Sequence, residues 1–129
     1  MKLQKNLILL AAIIAFAWGL FGLIVPQVLA NLLKIPEESI NPHLISTQMT
    51  LAIAQISLGI IAIWIRTLKD KNLMGQAMTV VALIYLLFGL ESVLSHLIVK
   101  GLAMNMFLLI EGIVFIVLAV VFFIFKNPK

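Results

Sequence analysis

"LLFGLESVLSHLIVKGLAMNMFLLIEGIVFIVLAVVFFIF", residues 86–125, decides the fold. Two apolar runs meet at Lys100–Leu102. The earlier one starts at about Leu73 and ends at about Val99; the later one runs from about Leu102 to Phe125. Each is long enough for a hydrocarbon core of ~30 Å, which needs roughly 20 helical residues. Backbone polar groups in lipid must bond within their own segment, and barrel strands would alternate in polarity instead. The runs therefore read as helices, and the short connection makes them antiparallel neighbours.

Two further runs precede this hairpin. One extends from about Asn6 to Val25 and is stopped by Pro26. The other extends from about His43 to Ile65, opened by Asn41 as a cap and Pro42 at the first helical position. The expected fold is all-α: a single integral membrane domain, 1–129, forming an up-down antiparallel four-helix bundle. Its spans are 6–25, 43–65, 73–99 and 102–125, with an outer loop at 26–42. That loop, "QVLANLLKIPEESINPH", has an amphipathic start suited to a membrane surface. No internal sequence repeat is evident.

Composition agrees. The chain is 64% hydrophobic and 11% charged, with mean hydropathy +1.22. Soluble domains are roughly half apolar and about a quarter charged. The formal charge of +4 is no sign of nucleic acid, because the basic residues sit at the ends of apolar runs. Lys2, Lys5, Arg66, Lys69, Lys71, Lys126 and Lys129 fall on one side; only Lys34 and Lys100 fall on the other. By the positive-inside rule both termini are cytoplasmic, in a bacterial-type inner membrane. The start, "MKLQKNLILLAAIIAFAW", resembles a signal peptide with Ala15-Phe16-Ala17 as its small-x-small site. Apolar sequence nevertheless continues to Val25, which favours a retained span. There are no cysteines, so disulfides, thiolate zinc sites and dithiol relays are excluded.

Helices in lipid associate through close packing and polar contacts. The first span carries a small-residue stripe of Ala12, Ala15, Gly19 and Gly22. On the second, Gln48, Ala52, Gln55, Gly59, Ala62 and Arg66 form one stripe that should face protein. On the fourth, Asn105, Gly112 and Ala119 recur at seven, flanked by Glu111. Phe107, Phe115, Phe122, Phe123 and Phe125 read as lipid contacts and filling. Trp64 suits an aromatic belt, whereas Trp18 lies deep enough to pack or to line a cavity.

The third span holds the polar residues. At ~100° per residue, Ser95, Ser92, Tyr85, His96 and Gly89 fall within about 160° of Glu91, and leucines take the remaining side. Glu91 and Glu111 stand ten residues either side of Gly101. Both should lie about 12–15 Å below the hairpin's outer end at ~1.5 Å per residue. A carboxylate in hydrocarbon must pair, bind something or stay protonated. If Glu91 and Glu111 meet, a shared proton or a ligand is expected; if they part into separate hydrogen bonds, they are structural.

The expected pocket uses Glu91, Glu111, His96, Gln55, Gln48, Ser92, Ser95, Tyr85 and Trp18. It faces outward and takes a proton, cation, amine or lipid-like molecule, for binding or transport. The alternative is a structural subunit of a homo-oligomer or larger membrane complex. A lipid- or quinone-modifying enzyme ranks below both, since no nucleophile–base–orienter set is legible, and no catalytic residue or cofactor is assigned. A metal held by His96, His43 and Glu111 lacks a diagnostic ligand spacing, and haem between His43 and His96 lacks supporting motifs.

"GLFGLIVP", residues 19–26, followed by "LLKIP", residues 32–36, resembles the first helix end and first outer loop of small DoxX-like bacterial membrane proteins. That resemblance implies a four-span fold and no particular site residue.

Overall fold

Local chemistry sets the helix limits. Asn41 accepts a hydrogen bond from the Leu44 amide at 2.9 Å and Pro42 occupies the first turn, so α3 begins at Pro42. Asp70 does the same for Leu73 N at 2.8 Å, just ahead of α4. Pro26 lacks an N–H and disfavours helical backbone at Val25, which ends α1.

The computed structural model describes residues 1–32, 37–98 and 106–129. The elements are α1 (Lys2–Ile24), α2 (Pro26–Leu32), a 3₁₀ turn (Glu37–Ser39), α3 (Pro42–Ile65), α4 (Lys71–Ile98) and α5 (Met106–Ile124). No strand occurs among the described residues. α1, α3 and α4 are each long and apolar enough to cross a membrane; α5 is apolar and shorter over its described residues. The hairpin apex Lys100–Leu102, Asn105, Lys34 and most of "LLKIP" lie outside the described residues.

The long helices associate as two tight antiparallel pairs, α1 with α3 and α4 with α5; the pairs touch each other far less, with α1 and α4 making the most contact between them. The small-residue stripes make the tight pairs. Ala12, Gly19 and Gly22 are buried on α1, and Gln48, Ala52, Gly59 and Ala62 on α3. At the closest point, a Cβ on Gly19 would lie 2.9 Å from Ala52 O and 3.1 Å from Ile56 N.

The second pair repeats this packing. A Cβ on Gly89 would lie 2.9 Å from Gly112 O and 3.1 Å from Ile116 N. Gly19 and Gly89 are 70 positions apart; Ala52 and Gly112, like Ile56 and Ile116, are 60 apart. The same shift of 70 carries every buried residue of α1 (Gln4, Ile8, Ala11, Ala12, Gly19, Gly22) onto a buried residue of α4 (Met74, Met78, Val81, Ala82, Gly89, Ser92). The shift of 60 carries buried Ala52, Gly59 and Ala62 onto buried Gly112, Ala119 and Phe122. The sequence shows no evident repeat, yet the structure uses one hairpin plan twice. Few residues are shared between the copies and the first connection is ten residues longer, which hides the repeat in the sequence.

The end carrying the N-termini of α1 and α4, called basal here, is firmly closed. Gln4 Nε2 donates to Phe125 O at 2.8 Å and Arg66 Nε donates to Lys5 O at 3.1 Å. At this level and one turn above it, Ile8, Met74, Met78 and Phe122 are all 0% exposed and form a plug. Ile8 and Met78 are repeat equivalents.

Candidate functional site

Above the plug the two pairs leave a cavity of about 130 Å³ between them, lined by all four long helices. Its position follows from the repeat. Five equivalent pairs line it: Ala11 and Val81, Ile14 and Ile84, Ala15 and Tyr85, Trp18 and Phe88, Gln55 and Phe115. Each hairpin presents the same face to the other, and the cavity lies where those faces oppose.

Most of the lining is aliphatic or aromatic. Tyr85 lies against Phe115 with ring centroids 5.6 Å apart and planes tilted by 36°, and Phe88 lies 6.4 Å from the same ring. Trp18 closes the α1–α5 side with an edge contact to Phe107 at 5.9 Å. On the α3–α4 side the lining residues Ile61, Val80 and Phe88 are exposed, so this wall is open laterally. Gln55, Tyr85 and Glu111 are the polar members of the lining.

The cavity thus gathers Trp18, Gln55, Tyr85 and Glu111 from the expected set, and the other members lie elsewhere. Ser92 is buried behind the carboxylate and donates from Oγ to Glu111 Oε1 at 3.4 Å. Glu91 is exposed and accepts from Ser95 Oγ at 2.7 Å. Half-buried Ser95 and buried His96 are outside the cavity lining. Gln48 is buried outside it too, and its Oε1 has no hydrogen-bond partner among the described residues.

The two carboxylates stand at one level, as the hairpin arithmetic requires, because the Gly89–Gly112 crossing lies beside both. They do not meet. Consecutive helical residues point ~100° apart, so Ser92 faces inward while Glu91 turns out among Leu87, Leu90 and Leu94. Each carboxylate accepts from its own serine, while Glu91 stays close enough to Glu111 for their charges to interact. His43 is exposed at the start of α3, and among the described residues no three histidine, aspartate or glutamate side chains converge as a metal site.

Sequence reasoning missed Phe88 and read Phe115 only as lipid contact or filling. A usable signal existed. Phe115 stands four residues after Glu111, and Phe88 three after Tyr85, so each shares a helical face with a polar cavity residue.

The chain matches no family model, no curated protein and no solved structure.

Proposed function

We propose that this chain is a multi-pass protein of a bacterial-type inner membrane that binds a small, largely apolar molecule between its two helical hairpins. All four long helices cross the bilayer in this reading, and the basal end with both termini faces the cytoplasm. The charge asymmetry supports that orientation, with seven basic residues on the basal side and two on the other. Kinship with the DoxX-like proteins would agree with it and supplies none of the site residues.

The cavity carries the functional reading. Its volume of about 130 Å³ compares with the ~150 Å³ apolar cavity that stays dry and binds benzene. It suits one ring or a short branched chain. An apolar interior with a few placed polar groups is the usual make-up of a small-molecule site. A hydrated inorganic ion would find too few oxygen ligands in this lining.

The test uses Trp18 as reporter. The chain has two tryptophans, and Trp64 is 63% exposed and outside the cavity. Purified Trp64→Phe protein is titrated with tert-butylbenzene. A saturable change in Trp18 emission, abolished by filling the cavity through Ala15→Phe, is the expected result. A non-saturating change that survives Ala15→Phe would refute the reading.

One observation favours a second role. Exposed Glu91 on a leucine-lined face is costly against lipid and would be relieved by a protein partner. The chain then also serves as a subunit of a larger assembly through that face of α4.

A further inference from the structure

The repeat shows where the cavity departs from its own symmetry. Tyr85, Ser92 and Glu111 belong to the second hairpin; their equivalents in the first are Ala15, Gly22 and Leu51. The carboxylate, the serine that holds it and the phenol therefore lie on one side of a cavity lined in part by five equivalent pairs. Gln55, opposite its equivalent Phe115, is the first hairpin's one polar contribution to the lining. A ligand without a polar end would have no use for this imbalance.

The chemistry of the richer side is that of a cation site. Trp18, Tyr85, Phe88 and Phe115 bring four rings to one small volume. Aromatic faces attract organic cations by ~2 kcal/mol or more when both are desolvated. Glu111 lies one helical turn from Phe115 and accepts one long hydrogen bond, from Ser92, among the described residues. No lysine or arginine lines the cavity to neutralise it. A ring-sized apolar volume, an aromatic wall and a carboxylate together match a molecule with an apolar body and a single positive head.

We infer that the cavity selects small hydrophobic amines or quaternary ammonium ions, oriented with the cationic head toward Glu111 and the second hairpin. The inference rests on the binding reading above and narrows its ligand class.

The test compares two molecules of one shape, phenyltrimethylammonium and tert-butylbenzene, on the Trp64→Phe protein. Trp18 emission reports binding, and Glu111→Gln is measured in parallel to cancel partitioning into detergent. The cation-to-neutral affinity ratio should be about tenfold higher with Glu111 than with Gln, with helicity unchanged. Glu38→Gln, far from the cavity, should leave the ratio where it was. An equal ratio in the Glu111→Gln and parent proteins overturns the amine inference, while saturable tert-butylbenzene binding keeps the cavity reading intact. Neither compound shifting Trp18 emission overturns both.

Discussion

Gly89 and Gly112 each stand where the other's backbone needs room: a Cβ on either would lie 2.9 Å from the carbonyl oxygen of its partner. Helices this close gain dispersion and Cα–H···O contacts that larger residues would forfeit. Gly89→Ala and Gly112→Ala should each lower the thermal midpoint in detergent. The overpacking cost of about 1–3 kcal/mol exceeds alanine's helix-propensity gain of about 1 kcal/mol. Gly75→Ala should cost little, because its nearest neighbours, Asn127 Oδ1 and Lys126 O, lie at 3.3 and 3.4 Å near the chain end.

The hairpin repeat makes a sharper demand. Gly19→Ala should cost as much as Gly89→Ala, since both meet an isoleucine side chain and a carbonyl at matching distances. The two losses should add to within about 0.5 kcal/mol in the double variant, because the crossings share no partner. The Gly89→Ala/Gly112→Ala double variant should fall short of additivity, since one displacement relieves both clashes. Unfolding midpoints of the singles and doubles decide the matter.

Among the described residues Gln48 has a buried acceptor with no partner, and the equivalent position of the second hairpin is Leu108. An unmade buried hydrogen bond costs about 1–3 kcal/mol. Gln48→Leu should therefore hold or raise the thermal midpoint. A clear drop would show that the amide has a partner in the membrane.

The absence of cysteine makes orientation directly measurable. In intact cells, Glu38→Cys should react with a membrane-impermeant maleimide, and Lys69→Cys should react only after permeabilisation. The reverse pattern would invert the topology.

Glu91→Leu tests the exposed carboxylate. It should leave the cavity and the helix content unchanged, since Glu91 bonds only to Ser95 among the described residues. It should reduce crosslinking to neighbouring membrane proteins if that face of α4 meets a partner. Unaltered crosslinking would leave Glu91 without an interaction role.

Much of this architecture was legible from residue spacing. Asn41-Pro42 marked the start of α3, the small-residue stripes marked the packed faces of α1 and α3, and equal distances from Gly101 placed Glu91 and Glu111 at one level. What spacing cannot give is the rotation of one helix against another. Glu91 and Ser92 belong to the same polar arc, yet the Gly89–Gly112 contact turns Ser92 in and Glu91 out. The cavity was equally out of reach, because it depends on how two completed hairpins oppose each other. Trp18, Gln55, Tyr85 and Glu111 come from four different helices, and only that assembly unites them.

The plug of Ile8, Met74, Met78 and Phe122 separates the cavity from the basal side, while Ile61, Val80 and Phe88 leave it open between α3 and α4. With the helices spanning a bilayer as proposed, a molecule that enters by this route arrives from the hydrocarbon phase. Occupancy is then governed by how strongly a compound accumulates in the bilayer, and two compounds with equal intrinsic fit will differ in apparent potency by their membrane partition coefficients.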